Sequence, residues 1–124
     1  MTQVTFQGTP VNLSGDLPKV GQSAPDFVLC ANDLSDYKLK DHLDTVLVLS
    51  VVPSLNTPVC AASARMFNKR AGEVPGVKVL NISMDLPFAA GNFCSVEGLN
   101  NAISLSDFRD QGFGKAYGLI IKDG

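Results

Sequence analysis

Thr45-Val-Leu-Val-Leu-Ser-Val-Val52 is a nearly continuous apolar run, and Pro53-Ser-Leu-Asn-Thr-Pro-Val-Cys60 follows it directly. A run so rich in β-branched residues is typical of a strand that is buried on both faces of a parallel sheet. Val77-Lys-Val-Leu-Asn-Ile82 is a second run of this type, and residues 58–72 between the two runs predict a helix. Strand, helix and strand form a right-handed βαβ unit, so the fold class is predicted to be α/β.

The helix between the two strands is expected to present its apolar residues to the sheet. The residues at helical spacing are Val59, Ala62, Met66, Phe67 and Ala71. The rest of the chain predicts shorter elements in one domain that spans residues 1–124. These are an N-terminal hairpin (4–6 and 11–13), paired strands (26–30 and 37–39), a helix (87–94), a strand (103–105), a helix (106–117) and a strand (119–121).

Length, charge and hydropathy narrow the class of protein. The chain has 124 residues, 45% of them hydrophobic, and a net charge of −2. This charge does not favour a nucleic-acid or acidic-membrane partner. No apolar run approaches the roughly 20 residues that span a bilayer. The first residues lack the basic start and apolar core of a secretory signal, so we expect a cytoplasmic protein, in which thiols are kept reduced.

The segment before Cys60 suggests a reactive thiol. Thr57 is a favoured helix N-cap and Pro58 a favoured first helical residue, which places Cys60 third in the helix. We expect the Thr57 hydroxyl to cap the Cys60 N–H. Unpaired N–H groups and the positive end of the helix dipole stabilise a thiolate there. The alternative is that Thr57 and Pro58 only start a helix and that Cys60 packs; this pattern alone leaves both possibilities open.

The remaining candidate residues give weaker signals. The three cysteines, Cys30, Cys60 and Cys94, have no spacing typical of zinc ligands, so no metal site is expected. Cys30 lies in an apolar strand and is expected to be core. The single histidine, His42, lies among charged residues and is expected on the surface. Arg65 is expected to be a surface or interface charge and not a partner of the thiolate.

Several separate motifs resemble one family, the thiol peroxidases, which are the atypical two-cysteine peroxiredoxins of bacteria. The resemblance extends from about residue 3 to the end of the chain. The motifs are Phe6-Gln-Gly8, Pro53-Ser-Leu-Asn-Thr-Pro-Val-Cys60, Ser83-Met-Asp-Leu-Pro-Phe-Ala89, Phe93-Cys94, Glu97-Gly-Leu99 and Leu105-Ser-Asp-Phe-Arg109.

The resemblance implies a thioredoxin fold of the peroxiredoxin type with an added N-terminal β-hairpin. It implies that Cys60 is the peroxidatic cysteine and Cys94 the resolving one. Thr57 would hydrogen-bond at the peroxide site, and Pro53 would shield the thiolate from water. A hydroperoxide substrate, reduction by thioredoxin and a homodimer are implied as well, with no metal or organic cofactor.

The chain departs from the family pattern in three ways. Asn56 replaces a usual Asp, and Asn92 replaces a usual Arg, neither at a position that performs the chemistry. The family's activating arginine, two strands and a final helix lie beyond the point at which this sequence ends. We therefore expect a C-terminally incomplete domain with reduced activity. A non-catalytic or redox-sensing thioredoxin-fold fragment is the alternative function.

Overall fold

The N-terminal hairpin is present in the computed structural model, which describes residues 3–122. Strand β1 (Gln3–Phe6) pairs antiparallel with β2 (Thr9–Asn12). Gln7 and Gly8 form the turn, and both have positive φ, 50° and 83°. A two-residue turn of this kind matches the twist of the strands that it connects.

A five-stranded sheet forms the centre of the molecule. Its strands are β3 (Val28–Cys30), β4 (Asp36–Lys38), β5 (Val46–Val51), β6 (Val77–Ser83) and β7 (Ala102–Ser106). Their order is β4-β3-β7-β6-β5. The last three strands of this order are mutually parallel, whereas β3 is antiparallel to both of its neighbours. The carboxyl ends of β5, β6 and β7 therefore lie together at one edge, where open α/β sheets bind ligands.

The helices follow the strands in chain order. They are a short 3-10 helix (Leu39–His42), α1 (Pro58–Ala71), α2 (Pro87–Glu97) and α3 (Gly112–Ala116). Helix α1 joins β5 to β6, so the predicted βαβ unit is confirmed. Within residues 3–122, no helix combines the length and the hydropathy needed to cross a bilayer.

The predicted C-terminal elements are wrong in extent. Helix α3 begins six residues late because Gln111 has a left-handed backbone (φ 57°). The Asp107 carboxylate accepts hydrogen bonds from the N–H groups of Phe113 and Gly114, which start the helix. The predicted strand at 119–121 is only an isolated bridge, in which Ile121 lies antiparallel to Leu13.

The apolar run of β5 predicted a strand that is buried on both faces, and this prediction is wrong. Among the described residues it pairs only with β6 and forms an edge of the sheet. Val46 and Val51, at its two ends, are 63% and 43% exposed. Within the described residues, one long side of β5 has no neighbouring strand.

Helix α1 turns a different face to the sheet from the one predicted. Its buried residues are Ala61 and Ala64, whereas Val59, Met66 and Phe67 are exposed. Small side chains let the helix approach closely, and the larger apolar side chains consequently face outward.

Two apolar clusters form the core. The larger one joins β3, β6, β7 and α3 and contains Phe27, Leu29, Leu39, Leu80, Ile82, Leu105, Phe113 and Tyr117. The smaller one, called here the α1–α2 cluster, contains Leu55, Ala64, Ala90, Cys94 and Leu99. The α1–α2 cluster contains Cys94 together with Leu55 of the segment that precedes Cys60.

Candidate active site

The loop of residues 53–57 leads from β5 into α1 at the carboxyl edge of the sheet. The start of the loop is hydrogen-bonded to the end of β6 and the residue that follows it. The Val52 N–H donates to the Ile82 carbonyl (2.9 Å), and the Met84 N–H donates to the Pro53 carbonyl (3.2 Å). The loop is therefore held in place before it turns into the helix.

Cys60 is the third residue of α1 and is half-buried. The first helical hydrogen bond runs from the Ala61 N–H to the Thr57 carbonyl (2.9 Å). The N–H groups of Val59 and Cys60 precede that bond and point out of the helix, at the positive end of its dipole. The predicted position of Cys60 in the first turn is confirmed.

Thr57 occupies the N-cap position with an extended backbone, but its side chain does not cap the helix. Its hydroxyl donates to the Ser54 carbonyl (3.0 Å). The predicted hydrogen bond from the Cys60 N–H to the Thr57 hydroxyl is therefore wrong; the hydroxyl is directed toward the Ser54 carbonyl within the loop instead. The Cys60 N–H is left without that cap, and the Thr57 oxygen keeps its lone pairs as hydrogen-bond acceptors.

Pro53 and Leu55 point to different sides of the loop. Pro53 is exposed and lines an apolar cleft of about 650 Å³ together with Val51, Val52 and Met84. Leu55 is 2% exposed and packs in the α1–α2 cluster. Burial of a leucine side chain contributes roughly 1.5–3 kcal/mol, so Leu55 anchors the loop.

Cys94 lies in the last turn of α2 and packs in the same cluster as Leu55. It is only 9% exposed, and its carbonyl accepts the Leu99 N–H (2.9 Å). Cys60 and Cys94 are both unbridged thiols. The fold thus brings Cys94 against the loop that precedes Cys60, but within an intact helical turn.

Cys30 and His42 lie far from this site. Cys30 is buried in β3, which is three strands from β5, or about 14 Å at the usual strand spacing. His42 is half-buried and stacks on Tyr37 at 4.3 Å, so it is less exposed than predicted. It belongs to the opposite edge of the sheet and is not placed to act as a base for Cys60.

The three arginines of residues 3–122 are engaged elsewhere. Arg65 pairs with Glu97 of α2 at 3.1 Å, as expected of a surface charge. Arg70 pairs with Glu73, and Arg109 pairs with Asp36. Each of these arginines is therefore paired with a carboxylate, and the backbone N–H groups at the start of α1 supply partial positive charge beside Cys60.

The two residues that differ from the usual family pattern, Asn56 and Asn92, line the same cleft. Asn56 of the loop and Asn92 of α2 both line a cavity of about 390 Å³ between these elements. Their side chains are neutral, so this cleft has no charge pair at these positions.

Asp85 is a site residue that the sequence analysis missed. Its carboxylate accepts hydrogen bonds from the Ser54 hydroxyl (2.6 Å), the Leu55 N–H (2.8 Å) and the Ser83 hydroxyl (3.0 Å). Its place in the motif that begins at Ser83 was the only signal, and that signal gave it no role.

Comparisons with known proteins identify the family of the chain. The redoxin family matches residues 19–124. A thiol peroxidase of Leptospira interrogans is 50% identical, over 100% of this chain and 74% of that protein. One from Halalkalibacterium halodurans is 49% identical, over 99% of this chain and 74% of its own length. The chain belongs to the thiol peroxidase family.

A solved structure extends the family assignment to the fold. The crystal structure of a peroxiredoxin-like protein from Aquifex aeolicus superposes with a TM-score of 0.90 at 40% identity. The match covers 98% of this chain and 71% of that one. As a family member, the chain is an oxidoreductase of the peroxiredoxin class with a thioredoxin fold, and both predictions are confirmed.

Proposed function

We propose that the chain is a thiol-dependent peroxidase in which the Cys60 thiolate attacks a hydroperoxide. The observation that supports this most directly is the position of Cys60. The thiol is half-buried in the first turn of α1, beside N–H groups that the helix leaves unpaired. The name thiol peroxidase, which the relatives share, is consistent with it.

The Cys60 sulfur forms a bond to one peroxide oxygen, and the O–O bond breaks. The leaving oxygen takes the electron pair and a proton and departs as water or an alcohol, while Cys60 becomes a sulfenic acid. Negative charge grows on the leaving oxygen, and preorganised N–H groups stabilise such charge. The Thr57 hydroxyl donates to the Ser54 carbonyl, so its oxygen accepts a hydrogen bond from the peroxide O–H. Pro53, next to the apolar cleft, excludes water from the thiolate.

The Cys94 thiol then attacks the sulfur of the sulfenic acid, which releases water and closes a Cys60–Cys94 disulfide. The last turn of α2 must open first, since Cys94 is buried and helical. Thioredoxin reduces the disulfide by thiol exchange in the cytoplasm. Organic hydroperoxides are proposed as substrates besides hydrogen peroxide; the apolar cleft reaches Pro53 of the loop that leads to Cys60, but Cys60 itself does not line it. The exposed Met66 and Phe67 on α1 support a homodimer.

The test is peroxide consumption by the purified chain with thioredoxin and its reductase. We expect Cys60→Ser to abolish turnover. Cys94→Ser should support one equivalent of consumption and accumulate a sulfenic acid on Cys60. Cys30→Ser is the matched control and should keep full turnover, because Cys30 lies three strands away.

Two results would change the proposal. If peroxide closes the disulfide but thioredoxin sustains no turnover, the chain is a redox-sensing module. The observation that favours this alternative is that all three described arginines are engaged in other ion pairs. If peroxide oxidises Cys60 no faster than Cys30, the peroxidase proposal is wrong.

A further inference from the structure

Asp85 is fastened to the ends of two central strands. Its N–H donates to the hydroxyl of Ser83, the last residue of β6 (3.3 Å). Its carbonyl accepts the hydroxyl of Ser106, the last residue of β7 (2.6 Å). These bonds fix the backbone of Asp85 against the ends of β6 and β7, so its carboxylate has a defined position.

The carboxylate of Asp85 in turn holds the loop of residues 53–57. One oxygen accepts the Ser54 hydroxyl at 2.6 Å, and the other accepts the Leu55 N–H at 2.8 Å. The remaining partner, the Ser83 hydroxyl, is also a donor. Three donors converge on the two oxygens, which is the pattern that suits an ionised carboxylate, since it accepts and never donates.

Ser54 relays this contact to the start of α1. Its hydroxyl oxygen accepts the Asn56 N–H (3.0 Å), and its carbonyl accepts the Thr57 hydroxyl (3.0 Å). A continuous set of hydrogen bonds therefore runs from the end of β7 through Asp85 and Ser54 to the N-cap residue of the helix that contains Cys60.

We propose that Asp85 is a positioning residue for Cys60. It holds Ser54 and Leu55 so that the Thr57 hydroxyl and the N–H groups of the first helical turn converge on the peroxide. The inference rests on the proposed function, since it assigns Asp85 a part in that reaction. Asp85 itself need not touch the substrate. Misplacing reacting groups by about 1 Å costs on the order of a hundredfold in rate, so the loss of this anchor should be measurable.

The test compares two reactions of Cys60, each followed by peptide mass spectrometry. The first is sulfenic acid formation with hydrogen peroxide, which needs the positioned groups. The second is alkylation by iodoacetamide at a pH at which its rate no longer rises, which needs only the thiolate. We expect Asp85→Ala to lower the peroxide rate by about ten- to a hundredfold and to leave the plateau alkylation rate unchanged. Asp85→Asn keeps one acceptor oxygen and should restore part of the rate.

A double-mutant cycle with Ser54→Ala shows whether Asp85 acts through the loop. The double variant should lose less than the product of the two single losses, because both changes break the hydrogen bond between Asp85 and Ser54. Asp36→Asn is the matched control: it removes a carboxylate from an ion pair with Arg109 on the opposite edge strand and should leave both rates unchanged. Thermal unfolding of each variant identifies any that is unfolded. If Asp85→Ala does not fold, Asp85→Asn and Ser54→Ala test the inference in its place. In both of them the ratio of the peroxide rate to the alkylation rate should be lower than in the wild type.

The possible failures are distinguishable. A wild-type Cys60 that peroxide oxidises no faster than Cys30 contradicts the proposed function and this inference with it. A reactive wild type whose ratio of peroxide to alkylation rate is unchanged in the Asp85 variants contradicts the inference alone. Multiplicative losses in the double variant also overturn it.

Discussion

Gly98 ends α2 four residues after Cys94, with a left-handed backbone at φ 67°. Its N–H bonds back to the Ser95 carbonyl (3.3 Å), and the next N–H bonds to the Cys94 carbonyl (2.9 Å). These bonds keep the turn that contains Cys94 helical. A Cβ added at residue 98 would meet no atom within 4 Å, so Gly98→Ala introduces no steric clash. It adds only the cost of a left-handed alanine, about 1–2 kcal/mol.

This variant should close the Cys60–Cys94 disulfide faster than the wild type. The added strain is present while α2 is intact and is relieved when its last turn opens, which must precede attack by the buried Cys94. Full relief of 1–2 kcal/mol corresponds to about a fivefold to thirtyfold increase in rate. The assay is a pulse of hydrogen peroxide, acid quenching at successive times and quantification of the bridged peptide. The melting temperature should fall by a few degrees at the same time.

Gly76→Ala is the matched control. Gly76 also has positive φ, 78°, and open space for a Cβ, but it lies between α1 and β6. It should lower the melting temperature to a similar extent and leave disulfide closure unchanged. If Gly98→Ala unfolds as Gly76→Ala does but closes the disulfide no faster than the wild type, opening of α2 does not limit the reaction and the reasoning is wrong.

Three further results are expected. Peptide mapping after mild peroxide treatment should show a bridge between Cys60 and Cys94 with Cys30 unmodified; a bridge to Cys30 would refute the assignment. Thr57→Val removes the hydroxyl at nearly constant volume and should lower the free energy of unfolding by about 0.5–1.5 kcal/mol. It should also slow oxidation of Cys60 by peroxide, and an unchanged rate would exclude Thr57 from the site. Burial raises the pKa of the Asp107 carboxyl above its ordinary value of 3.8. The folded state therefore holds this proton more tightly than the unfolded chain, so the stability that it contributes is present below pH 3.8 and is lost as the pH rises through the raised pKa. Asp107→Asn removes this pH dependence. Urea unfolding should therefore show that the free energy of unfolding of the variant rises relative to that of the wild type as the pH rises from about 4. A difference between the two free energies that does not change with pH would contradict this.

The sequence alone predicted the features that depend on neighbouring residues. The βαβ unit followed from two apolar runs with a helical segment between them. The start of α1 followed from Thr57 and Pro58, which fixed Cys60 in the first turn. The N-terminal hairpin followed in the same way, although its turn lies at residues 7–8. Each strand, helix start and turn among these features is set by residues only a few positions apart, for which local conformational preference is enough.

These local patterns did not predict contacts between parts of the chain that are distant in sequence. The periodicity of α1 identified an apolar face, but packing selected Ala61 and Ala64 for burial instead. The apolar run of β5 predicted burial on both faces, but Val46 and Val51 are exposed, and within residues 3–122 the strand order places β5 at an edge.

The candidate active site also combines features that the local sequence predicted with features that only the tertiary structure showed. The sequence determined that a cysteine opens a helix after a buried-type strand, and family motifs marked Cys94. Only the tertiary structure showed that the Thr57 hydroxyl bonds within its own loop, and that Asp85 holds this loop from 31 residues away along the chain. A hydrogen bond over that separation forms only when the sheet has brought the ends of β5 and β6 side by side. The position of Cys60 at the start of a helix is therefore a local property of this sequence, whereas the hydrogen bonds that hold the preceding loop are a property of the folded sheet.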